Sequence, residues 1–176
     1  MAVWNVIDHT ELTTATTEYD VTSIPSSYDH LCLAVSARSD ASQTYTNING
    51  EINADTGSNY SRTYLYAATS TPAVSSGSGA SNMTDLLPCP AANVLADTFN
   101  TGIIWIPNYA NTANYKQVLA QGTRPNNSTT NWDWEVRIGA HLWASTTAIN
   151  QLTLSLSHGD FVQYSTFTLY GINGAA

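Results

Sequence analysis

Positive charge is scarce in this sequence. Arg38, Arg62, Lys116, Arg124 and Arg137 are its five cationic residues, and they are spread along the chain. No basic cluster exists to neutralise a phosphate backbone, which argues against nucleic acid as a partner. The net charge of −8 sets the chain against an anionic membrane surface as well. Charged residues of both signs make up only 10% of the total, against about 25% in an average domain. Thr, Ser and Asn take their place, giving a polar but nearly uncharged surface.

Other signals are missing too. No window of a dozen residues keeps apolar side chains at i, i+3, i+4 and i+7, so amphipathic helices are not expected. No apolar run approaches the roughly 20 residues needed to span a bilayer. The opening MAVWNVIDHTEL has neither a basic segment nor a long apolar one, and does not read as a signal peptide. Folding in a cytoplasm is the expectation. The two cysteines, Cys32 and Cys89, are too few for a disulfide scaffold; two reduced thiols packed as small apolar groups are expected, with a single bridge as the alternative.

What is present is strand chemistry. The 176 residues are 43% apolar, enough for one domain with its own core. Thr, Val, Ile, Tyr and Trp recur, and they alternate. Leu31, Leu33, Val35 and Ala37 form one period-two run. Trp134, Val136, Ile138, Ala140 and Leu142 form another, with Glu135, Arg137 and His141 on its opposite, water-facing side. Leu152, Leu154 and Leu156 make a third, and Phe167, Leu169 and Gly171 a fourth. Asn49-Gly50 is a hairpin signal, but a hairpin there sets apolar against polar residues on both adjoining rungs. A continuous strand puts Thr46, Ile48, Gly50 and Ile52 on one face, with the turn at Ala54–Gly57, and is preferred. The Ser/Gly-rich stretch at about 69–82 reads as a flexible loop. Short strands, frequent turns and no repeat predict a single all-β domain over 1–176, an antiparallel β-sandwich with a jelly roll as the preferred arrangement.

Reactive groupings are hard to assemble. None of the four histidines has a second His or Cys at metal-ligand spacing, so no metal and no cofactor is expected. His141 is the best placed general base, sharing a strand face with Glu135 and Arg137, but a solvated row explains it better. Asp133 and Glu135, flanked by Trp132 and Trp134, could form a glycosidase pair. The simpler reading has Trp134 in the core and the acids in water. Asp55-Thr56-Gly57 lacks the flanks of a protease triplet and reads as a turn. Trp105 and Trp134 lie in apolar runs and are expected in the core. Trp4 and Trp143 are candidates for a subunit interface. Arg38 ends its strand at the sheet rim, where it is either solvated or paired with acids of a neighbouring subunit.

Four stretches carry a family resemblance. VIDHTELTTATTEYDVTSIPSSYDHLCLAVSARS, NADTGSNYSRTYLYA, TGIIWIPNYANTANYK and STFTLYGI resemble, in that order, segments of a group of virion structural proteins of tailed bacteriophages. The matches run from about residue 7 to residue 172. They are strand and turn patterns, silent on mechanism. The Ser/Gly stretch and the Pro-Cys-Pro segment fall outside them.

The resemblance implies a non-enzymatic component of a phage particle, assembled in the host cytoplasm and resident in the virion. A capsid decoration, or cement, protein fits the small size and acidic low-charge surface. Its partners would be the major capsid protein and copies of itself, as a homotrimer. The alternative is a tail-fibre or receptor-binding tip that recognises host glycan through exposed aromatics.

Overall fold

The computed structural model describes residues 3–68, 71–127 and 133–173, with no helix among them. Twelve strands follow in order: β1 (Val3–Glu11), β2 (Glu18–Val21), β3 (His30–Ser36), β4 (Tyr45–Ile52), β5 (Tyr60–Ala68), β6 (Thr71–Ala80), β7 (Met83–Pro90), β8 (Thr101–Pro107), β9 (Lys116–Arg124), β10 (Glu135–Trp143), β11 (Leu152–Leu156) and β12 (Thr166–Asn173). They form an eight-stranded sheet, β1-β12-β3-β8-β9-β10-β5-β6, and a four-stranded sheet, β2-β11-β4-β7. The β-sandwich expected from the alternation is what forms.

The pairings describe a long ribbon doubled back on itself. Its tip is the β5–β6 hairpin; behind the tip, β4 pairs with β7, β3 with β8, β2 with β11 and β1 with β12, all antiparallel. Strands β9 and β10 continue from β8 as a meander and close onto β5.

The core lies between the sheets, where the alternating residues meet. Leu31, Leu33, Val35 and Ala37 are buried, as are Leu152 and Leu154 of β11 and Phe167, Leu169 and Gly171 of β12. Each large side chain removed from water contributes roughly 1.5–3 kcal/mol. Tyr19 stacks on Phe167 at 4.5 Å between ring centroids, and Phe161 meets the same ring edge-on at 5.1 Å. Strand β4 is continuous through Asn49-Gly50, with Thr46, Ile48, Gly50 and Ile52 all buried. The turn comes one residue sooner than expected, with Asn53 and Ala54 both in the left-handed region. The Asn53 carboxamide fixes it, accepting from the amides of Asn150 and Gln151 and donating to the Ala148 carbonyl.

The loop expected at about 69–82 is not one. Residues 71–80 form β6, paired with β5 along its length; residues 69 and 70 lie outside the described residues. Small side chains carry no strand signal, but β5 offers a full row of backbone partners, and a sheet edge demands little of side chains. Both cysteines are free and buried, and the Cys89 thiol points at the Ala37 carbonyl.

Gly171 shows how tightly one end of the sandwich is closed. A Cβ at this position would lie 2.3–2.6 Å from ring atoms of Tyr28, a hard clash with a side chain that packs against the core. Gly171→Ala is therefore expected to cost about 1–3 kcal/mol in chemical denaturation, and much less in a Tyr28→Ala background where the ring is gone.

Candidate interaction face

Strand β10 lies the opposite way round from the expectation. Glu135, Arg137, Gly139, His141 and Trp143 face the interior, while Val136, Ile138 and Ala140 face water. The pairing with β9 explains it. Arg124 lies directly opposite Glu135, and Lys116 directly opposite Trp143. Charge thus meets countercharge on one rung. Arg124 donates through Nε and Nη2 to Glu135 Oε2 at 3.3 and 3.2 Å, and through Nη1 to the Asp133 carbonyl at 2.8 Å. Arg137 donates from Nε to Glu135 Oε1 at 2.7 Å and from Nη1 to the Asp85 carbonyl at 2.9 Å. Asp85, in the left-handed region, takes Arg62 on its carboxylate at 2.9 Å. The rings of Tyr45 and Tyr64 cover Arg124 and Arg137 at 4.2 and 4.6 Å.

This network absorbs the residues that looked most reactive. Glu135 is buried between two guanidiniums, and Asp133 is held by Arg124 and by the Thr44 hydroxyl. The two acids do not stand in water as expected; Trp132, their expected neighbour, lies outside the described residues, and Trp134 is half-buried rather than a core residue. His141 is only 3% exposed, with no hydrogen-bond partner on either ring nitrogen. Burial, then the nearby Arg62 and Arg137, pushes its pKa down to about 4. It is a neutral buried ring rather than a solvated one. Among the described residues, no group of three His, Cys, Asp or Glu is placed to hold a metal.

Two of the three expected interface residues are spent inside the chain. Trp143 is buried, and its indole N–H donates to Asp55 Oδ2 at 2.6 Å. That bond, with those from Asn59 and the Gly57 amide, holds the Asp55 carboxyl below the usual range, and the Asp-Thr-Gly triplet is the expected turn. Arg38 neither pairs with acids nor extends into solvent. Its guanidinium gathers the Leu95, Thr98, Ala92 and Val94 carbonyls of the loop between β7 and β8. Lys116 does the same for the Asn114 and Thr146 carbonyls. All five cationic side chains are thus at least partly buried and partnered within the fold.

Trp4 is the expected interface residue that stays on the surface, 54% exposed. It contacts Trp105, which is half-buried on the outer side of β8 rather than in the core, at 6.3 Å, and Tyr170 at 5.6 Å. His30 also lies against Trp105, at 5.5 Å.

This aromatic group borders a wider apolar face. Across the sheet, Ile103, Gln121, Ile138, Leu65 and Val74 stand side by side on five adjacent strands. Leu119 and Val136 flank that row, and the six apolar members of the set are 40% to 75% exposed. A shallow groove of about 490 Å³ runs between Leu65, Ile103, Val136 and Ile138. Sequence reading missed this face because it assigned the apolar half of β10 inward. The signal that could have found it is the pairing of a basic β9 end with an acid-bearing β10 start on a chain so poor in charge. No protein-family model matches this chain, and no curated protein matches it significantly.

Proposed function

We propose that this chain is a non-enzymatic virion protein of a tailed bacteriophage: a decoration protein that binds the outer capsid shell as a homotrimer and reinforces it. The observation that carries an assembly role is the inverted eight-stranded sheet. Arg124, Arg137 and Glu135 are locked in internal pairs on its inner face, and its outer face presents apolar side chains to solvent. Exposed apolar faces of this extent mark interaction surfaces. The phage assignment rests on the sequence resemblance from residue 7 to residue 172. The doubled-back ribbon, wrapped over two sheets, supports a jelly-roll reading with β9 and β10 as an added meander.

A second reading draws on the Trp4–Trp105–Tyr170 group. Exposed rings of this kind can stack on sugars, which suits a fibre tip that recognises host glycan. Imaging an intact particle that carries the chain, at subunit resolution, separates the two. Density for this sandwich on the capsid exterior, against the major capsid protein, is the expected result. Density at a fibre tip, with binding on a glycan array, supports the second reading, and absence of the chain from purified particles overturns both.

A further inference from the structure

We infer that the outer face of β8, β9, β10, β5 and β6 is the surface through which copies of this chain pack on one another. The inference rests on the structural-subunit reading and adds to it a twofold contact, distinct from the heterologous contacts that close a homotrimer. Outward positions are odd-numbered on β8, β9 and β5 and even-numbered on β10 and β6. None of them is Asp, Glu, Lys or Arg.

Charge selects the occupant. The chain carries 13 acidic residues, and its five cations are taken up internally. Two copies approaching by most other surfaces bring acids against acids. The uncharged face is where they meet without that repulsion, and it is electrically complementary to itself. A basic partner would find no countercharge here and would be drawn to the acids elsewhere.

Area is sufficient. Five strands about 4.8 Å apart, with four outward positions each about 6.7 Å apart, make a face of roughly 600 Å². Two such faces bury about 1,200 Å², the lower bound of specific, stable interfaces. The face is not flat: beside the groove near Ile138 lies a second depression of about 800 Å³, bounded by Trp105, Leu119 and Ala140. Both have room for side chains of a second copy, and the aromatic group around Trp4 extends the contact towards β1.

Sedimentation of the purified chain tests this directly. The wild type is expected to sediment as an oligomer at about 100 µM and to bind itself more tightly as salt is raised. The double substitution Val136→Glu and Ile138→Glu adds two acids to exposed positions, so folding should survive, as read by circular dichroism and melting. It is expected to weaken association about tenfold or more, leaving the 18.9 kDa monomer. Leu95→Glu, at an exposed apolar residue on the loop between β7 and β8 and outside the five strands, should leave the oligomer intact. A monomeric wild type overturns the inference, and so does a folded face variant that remains oligomeric. A chain found on particles but monomeric in isolation removes this inference and leaves the virion reading standing. The reverse result removes the virion reading alone.

Discussion

Glutamine in place of Glu135 is expected to lower the unfolding free energy by about 3–5 kcal/mol, measured by urea denaturation. The substitution keeps the side-chain shape and removes the charge. Arg124 and Arg137, 3% and 4% exposed at the side chain, are then left with two cations and too few anions to offset them. Asp133 still reaches Arg124, so the larger share of the penalty falls on Arg137, which otherwise donates to the Asp85 carbonyl. Removing one partner differs from removing the set. With Arg124→Met, Glu135→Leu and Arg137→Met together, no fully buried charge is stranded, Asp133 is 24% exposed and keeps the Thr44 hydroxyl, and stability should return to the wild-type level or exceed it by about 1–4 kcal/mol. A cost below about 1 kcal/mol for Glu135→Gln would match a solvated surface bridge and contradict the burial described here.

Acid should weaken the fold through His141. Its pKa is about 4 in the folded chain, against an ordinary value near 6.5 when unfolded. Between those values the unfolded chain binds a proton that the folded chain refuses. Stability therefore holds above pH 6.5 and falls as pH drops from 6.5 towards 4, where this contribution levels off. The loss from this one ring is roughly 3 kcal/mol, because the site is buried and both neighbouring charges, Arg62 and Arg137, oppose protonation. His141→Leu is expected to flatten that part of the pH profile and, by removing two unpartnered ring nitrogens, to raise the melting temperature at pH 5. An unchanged slope in this variant would place the acid sensitivity elsewhere.

Strand chemistry was legible wherever one parity of a strand is plainly apolar and the other plainly polar. Leu31 to Ala37, Leu152 to Leu156 and Phe167 to Gly171 read correctly for that reason, and the consistency of Thr46 to Ile52 outweighed a local turn signal at Asn49-Gly50. Two elements escaped. Strand β6 has few side chains that favour a sheet; it is a strand because β5 supplies its hydrogen bonds, a long-range fact that composition does not carry. Strand β10 misled because both of its parities can be buried. The rule that apolar side chains face inward assumes that polar ones have nothing to pair with inside. Here Arg124 of β9 waits opposite Glu135, and the rule reverses. The site was lost by the same step, since a strand read the wrong way round hides its apolar half. Trp143 and Arg38 are engaged within the chain because their partners, Asp55 and the 92–98 carbonyls, are brought to them by tertiary structure, which the sequence does not display. Trp4 was legible because nothing in its neighbourhood of sequence could bury it fully.

The doubled-back ribbon also dictates how the molecule must come together in time. Its tip, β5 with β6, pairs residues close in sequence, whereas the last rung joins Val3 to Asn173 across nearly the whole polypeptide. Each rung outward from the tip closes a longer loop and loses more chain entropy before any contact offsets it. Such non-local pairing places refolding in the millisecond-to-second range typical of all-β topologies, with zipping proceeding from hairpin to chain ends.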